Sequence, residues 1–157
     1  MLHLREILVP TDMSDPSTTA FPLARDIAEA SGAKITLVTV VEISMQLQYL
    51  MPPVGSLLPE NASLPRLMED YIARTKAMLE TYAKTLGPQC QDKIILEGGS
   101  PHYEILKMAR SRRVDMIVLS THGRTGFARL TTGSVAERIV REAPCPVLTV
   151  HAPNPKK

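Results

Sequence analysis

The sequence predicts an α/β protein built on a parallel sheet with helices on both faces, and three observations carry that reading. Short, nearly uninterrupted β-branched runs recur along the chain, longer segments with helical spacing separate them, and a glycine-bearing loop stands between one such run and a helix start. Strands covered on both faces lose the apolar-polar alternation of half-exposed strands, and parallel neighbours need long crossovers, usually helical. At 157 residues the chain fits one domain, taken as residues 1–152 with a short tail at 153–157. A domain of that size buries roughly 68–70% of the surface its unfolded chain exposes, so the sheet can be covered on both sides without disulfide or metal staples.

Five strands are expected at residues 7–9, 35–41, 93–96, 114–119 and 147–150, the third being the weakest. The first helix is expected over 16–31, with Asp15 as cap, Pro16 at the first helical position, an apolar stripe through Ala20, Ala24, Ile27 and Ala28, and Gly32 closing it. A second carries apolar residues at i, i+3, i+4 and i+7 from Leu64 to Leu86 and stops at Gly87-Pro88; its stripe reads as core. Ser100-Pro101 starts a third, with Ile105, Leu106 and Ala109 inward. Ser134-Val135-Ala136-Glu137 has the spacing of a capping box and starts a fourth, which Pro144 ends. Residues 43–62 fit none of these elements. They form a Pro-punctuated, apolar segment too long for an ordinary connection, as lids, interfaces or disordered segments are.

Composition excludes several functions. Eighteen Lys and Arg against sixteen Asp and Glu give a net charge of +2, too balanced for a nucleic-acid footprint. Two Phe, four Tyr and no Trp leave little for base-stacking platforms. Cys90 and Cys145 form neither a disulfide framework nor a zinc motif and are expected to be reduced. The chain has no signal-peptide pattern at its start and no run of 18 apolar residues, so the expectation is a cytoplasmic protein without membrane insertion. The common P-loop, GxGxxG, GxSxG and HExxH motifs are missing, and no nucleophile, base and orienter come together, so no catalytic residue and no protein metal site is assigned.

The chemistry concentrates at Leu119-Ser120-Thr121-His122-Gly123-Arg124-Thr125-Gly126 and at Gly133-Ser134, between an apolar run and a helix start. Glycines let backbone N–H groups approach an anion, and a helix N-terminus stabilises its charge, so a nucleotide phosphate fits there. In open parallel sheets ligands bind beyond the carboxyl ends of the strands, which brings Pro10-Thr11-Asp12 and Val40-Val41-Glu42 to the same place. Asp12 is either a ligand to ribose or metal or a turn former; Ser134 is a helix cap, a phosphate ligand or both; His122 reaches the ligand or solvent.

With these residues in view, the chain resembles the universal stress protein family over nearly its whole length. The match rests on Ile7-Leu8-Val9-Pro10-Thr11-Asp12-Met13-Ser14, Thr121-His122-Gly123-Arg124-Thr125-Gly126, Gly133-Ser134-Val135-Ala136-Glu137 and Pro144-Cys145-Pro146-Val147-Leu148. The ATP-binding branch of that family spaces its glycines as this chain does at Gly123 and Gly133-Ser134, but the first glycine of the pattern is here Ser120. The resemblance implies a five-stranded sheet in the order 3-2-1-4-5 and a homodimer through the last strand. It also implies ATP as ligand: Pro10, Thr11 and Asp12 facing the adenosine, the backbone of Val40 the adenine edge, and Leu119, Ser120, His122 and Gly123 the ribose and phosphates. Gly133, Ser134, Val135 and Ala136 would hold the phosphate chain, bridged by Mg²⁺ or Mn²⁺. The expected function is a nucleotide-dependent stress-response regulator with a protein partner not named by the sequence. The alternatives are a slow ATPase and a dimeric interaction module of the same fold that binds no nucleotide.

Overall fold

The computed structural model describes residues 3–42, 64–121 and 134–151. In chain order it runs β1 (Glu6–Pro10), a 3₁₀ helix (Asp15–Ala20), α1 (Phe21–Ser31), β2 (Lys34–Glu42), α2 (Leu64–Leu86), β3 (Cys90–Gly98), α3 (Pro101–Arg112), β4 (Met116–Ser120), α4 (Ser134–Glu142) and β5 (Val147–Val150). The five strands form one parallel sheet in the order β3-β2-β1-β4-β5, as the family resemblance implies. The expected segment at 43–62, His122, Gly123, Gly133 and the 153–157 tail lie outside the described residues.

Alternate residues of the strands enter two cores. Ile7, Val9, Ile35, Leu37 and Val118 pack with Phe21, Ala24 and Ala28 of α1 and with Leu79, Ala83 and Leu86 of α2. Leu8, Val38, Ile117 and Leu119 pack on the other face with Ile105, Met108 and Ala109 of α3 and Ala136 and Ile139 of α4. Every residue of β1 is buried, because β2 and β4 flank it and helices cover both its faces.

Three sequence expectations are corrected. The first helix is broken in two: residues 15–20 form a 3₁₀ helix capped by Ser14, not Asp15, and the α-helix begins at Phe21. Pro22 has no N–H to donate to the preceding turn, and within residues 15–20 the hydroxyls of Thr18 and Thr19 donate to the carbonyls of Asp15 and Pro16, at 2.7 and 2.8 Å. Strand β3 is longer than 93–96 because it is an edge strand whose polar residues alternate outward, a pattern that an apolar-run criterion misses. Finally, β4 starts at Met116, since Asp115 is used as a brace: its carboxylate accepts from the N–H groups of Arg5 and Glu6 at 2.8 and 3.0 Å. Gly32, as expected, ends α1 in the left-handed region at φ 72°.

The amino ends of the strands are held by a charge cluster. Glu6, itself buried, accepts from Thr36 Oγ1 and Arg112 Nε, each at 2.7 Å, and pairs with Lys34 at 3.3 Å. Arg112 and Lys34 both reach Asp92 as well, which ties α3 to three neighbouring strands. Burial pushes the Glu6 carboxyl up, but the bonds from Thr36, Arg112 and Lys34 outweigh it and hold it below its ordinary value. Asp92 is lowered in the same way, burial again being outweighed by Arg112 and Lys34.

A depressed folded-state pKa gives stability that is present above the ordinary carboxylate range and lost as pH falls through the folded value. Stability is therefore expected to drop as pH falls below about 4. Glu6→Gln should cost about 2 kcal/mol at neutral pH, the scale of a hydrogen bond to a charged group. Urea denaturation of both proteins from pH 7 to pH 3 checks this: the two curves should converge at the acid end.

Candidate functional site

The carboxyl ends of all five strands lie at one end of the sheet, and local chemistry at β1 opens a site there. Pro10 falls at the strand position whose N–H would face β4, since Glu6 offers its carbonyl to Asp115 on that side while Thr11 N–H donates to Val38 of β2 at 2.9 Å. With no N–H at Pro10, the ladder toward β4 stops early while the ladder toward β2 continues. The chain then turns sharply: Thr11 Oγ1 accepts from Met13 N–H at 3.1 Å and shares a 2.7 Å bond with Ser17 Oγ, and Met13 takes a left-handed φ of 65°. Asp12 Oδ1 accepts from both the N–H and the hydroxyl of Ser14, at 3.0 and 2.5 Å.

Beyond this turn lies a cavity of about 360 Å³. Asp12 and Met13 border it from the turn after β1, and Val40, Val41 and Glu42 line it at the end of β2. Its outer wall is α2, which presents Tyr71, Arg74, Thr75 and Met78 at helical spacing; Pro101, at the start of α3, closes the far side. The long stripe of α2 is thus core only in its second half. Thr75, Leu79, Ala83 and Leu86 are buried, whereas Leu67, Met68, Tyr71 and Ile72 are half-buried and Met78 is 42% exposed. Tyr82 fixes the helix against the turn, packing edge-on to Phe21 at 5.6 Å and donating its hydroxyl to the Met13 carbonyl at 3.2 Å.

The residues singled out in the sequence divide into groups. Asp12 and Val40 share the cavity. Thr11 is buried and its hydroxyl is engaged in the turn, so its side chain shapes the loop. Leu119, Val135 and Ala136 pack into the α3–α4 core, which leaves their backbone groups as what they can offer a ligand. Ser120 ends β4 and its Oγ lies within hydrogen-bond distance of Thr19 Oγ1, at 3.1 Å, joining β4 to the 3₁₀ helix. Ser134 is the first residue of α4, and Glu137, expected to reach back to the helix start, pairs with Arg141 at 2.8 Å.

The sequence reading brought Glu42 to this end of the sheet without giving it a role and missed Arg74 and Thr75 as lining residues; the one available signal for the latter two was polar residues interrupting the inner stripe of α2. It also missed two histidines at this end of the sheet. His102 Nδ1 lies 2.8 Å from Ser100 Oγ and its Nε2 lies 3.2 Å from Arg138. Arginine only donates, so Nε2 accepts and the ring proton sits on Nδ1. His151 Nδ1 is 2.7 Å from Thr121 Oγ1, linking the ends of β4 and β5. Among the described residues no helix is long and apolar enough to cross a membrane, and no three His, Cys, Asp or Glu side chains are grouped to hold a metal ion.

The two roles left open for Asp12 can be separated. Asp12→Asn keeps the Oδ1 acceptor for Ser14 and should leave the melting temperature within about 2 °C of the parent; Asp12→Ala should lose about 1 kcal/mol with the turn. A thermal melt of each checks the turn role, and ligand titration of the stable Asn variant isolates the carboxylate charge.

Comparison with known proteins agrees with this architecture. The model of the universal stress protein family matches residues 3–151. A universal stress protein of Methanocaldococcus jannaschii is 34% identical over 150 residues, covering 96% of this chain and 84% of that one. The solved structure of UspA from Lactobacillus plantarum is 27% identical with a TM-score of 0.66, covering 94% of this chain and 98% of the other. A family protein from Arabidopsis thaliana, solved with AMP bound, shares the fold at 21% identity and a TM-score of 0.60, covering 98% and 94%. Sequence, sheet order and these likenesses together establish that the chain belongs to the universal stress protein family.

Proposed function

We propose that this protein binds an adenine nucleotide, ATP foremost, as a regulatory module that works as a homodimer. The observation that carries the reading is the cavity shared by Asp12 and Val40 at the carboxyl ends of β1 and β2. Asp12 and Glu42 place two carboxylates there against the single guanidinium of Arg74. A phosphate chain is repelled from such surroundings, so the cavity suits the neutral base and ribose. Met13, Val41, Met78 and Pro101 supply apolar walls of the kind a flat ring needs. The phosphates then run across the crevice toward α4, whose first N–H groups and positive dipole end favour anions. The AMP-bound family structure supports this choice of ligand class. With no acidic cluster among the described residues to hold it, a Mg²⁺ or Mn²⁺ ion would depend on the phosphates for most of its oxygen ligands.

Titrating ATP, ADP and AMP into nucleotide-free protein tests the reading, with saturable binding of at least one expected. Gly133→Val should abolish that binding and leave the circular dichroism spectrum unchanged, because a β-branched side chain would stand where phosphate meets backbone. Full affinity in the folded variant contradicts the phosphate placement.

The homodimer is proposed to form through β5, the sheet edge next to β4. The carbonyls of Pro146 and Val150 face β4, bonding Ile117 and Thr121 at 3.0 Å each, so by strand alternation Thr149 turns its N–H to the open edge. Charges at Leu148 and Val150 would also strike the protomer's own core, against which both pack. Thr149→Pro removes the outward donor and spares the ladder to β4. Light scattering at micromolar concentration should find a dimer for the parent and a folded monomer for Thr149→Pro.

A further inference from the structure

Glu42 stands two residues beyond Val40 on β2, so both side chains leave the strand on the same face, and both line the cavity. Arg74 lines it from α2, and among the described residues neither Glu42 nor Arg74 takes part in an ion pair. Two oppositely charged side chains therefore border the space assigned above to the base without neutralising each other. We propose that Glu42 reads the 6-amino group of the bound base and makes the site prefer adenine to 6-oxopurines. This rests on the nucleotide reading just given and adds the residue that sets its specificity.

A carboxylate only accepts hydrogen bonds, and the 6-amino group of adenine donates them. A 6-oxo group offers lone pairs to the same carboxylate, so a hypoxanthine or guanine base leaves two acceptors facing each other. Sites built to bond one polar group reject the analogue that cannot pair, because a desolvated acceptor is left without a donor. Arg74 would favour the opposite choice, since a guanidinium only donates. The position of Glu42 decides between them: it is the next same-face residue after Val40, whose backbone meets the base edge in the proposed arrangement, whereas Arg74 stands across the cavity on another element.

ATP and its 6-oxo counterpart, inosine triphosphate, are the probes, titrated calorimetrically into the full chain. The parent should bind ATP at least about tenfold more tightly, the scale of a hydrogen bond to a charged group. Glu42→Gln should weaken ATP and bring the two ligands within about threefold, because an amide can present either a donor or an acceptor. Glu42→Asp, which keeps an acceptor, should retain the preference for ATP, and circular dichroism verifies that both variants are folded. ATP binding with no preference, a preference for inosine triphosphate, or an unchanged ratio in Glu42→Gln overturns the assignment of Glu42 and leaves the nucleotide reading standing. Failure of the parent to bind either nucleotide overturns both.

Discussion

The structure depends on the burial of β1 between β2 and β4. Its five residues, Glu6–Pro10, are all buried, with side chains alternating between the two cores. Backbone groups in such a position have no access to water and must be paired on both sides, which fixes the register of the neighbouring strands. That requirement makes the single proline at its end consequential. A residue without an N–H is tolerated in a central strand only where the ladder stops, and stopping it on one side opens the crevice next to the candidate site.

The two ends of the strands use polar groups for opposite purposes. At the amino ends, Glu6, Thr36, Lys34, Asp92 and Arg112 satisfy one another, and Asp115 caps the backbone of β1, so charge is consumed in holding elements together. Breaking one member leaves the others partly buried and poorly paired, which is the costly case for buried ions. At the carboxyl ends, the turn after β1 is held by short hydroxyl and carboxylate bonds among Thr11, Asp12, Ser14 and Ser17, and charge beyond it borders a cavity. The braced end supplies rigidity, and a site built from strand ends inherits it.

Helix α2 illustrates how one amphipathic pattern serves two functions. From Thr75 onward its inner residues Leu79, Ala83 and Leu86 are buried over β3, β2 and α1; toward its start the same stripe is only half-buried. There Tyr71 and Arg74, with the exposed Met78 one turn further on, become the wall of the cavity. The hydrophobic period of a helix records which face turns inward, and the length of the sheet determines where inward ceases to mean core.

Much of this was determined by the sequence itself. Apolar runs located all five strands, Gly32 and Pro101 punctuated their helices as expected, and the motifs at residues 7–14 and 144–148 carried the family and its strand order. Local steric and hydrogen-bonding rules act within a few residues, so they can be read in linear order. Other features were set only by the tertiary structure. The edge position of β3 lengthened it beyond its apolar centre, Pro22 divided the first helix where a continuous stripe suggested none, and Asp115 left β4 to brace β1. The cavity itself joins Asp12, Glu42, Arg74 and Pro101, which are far apart in the chain and share no spacing. Their proximity is a product of parallel strand order and helix crossover, and no local propensity encodes it.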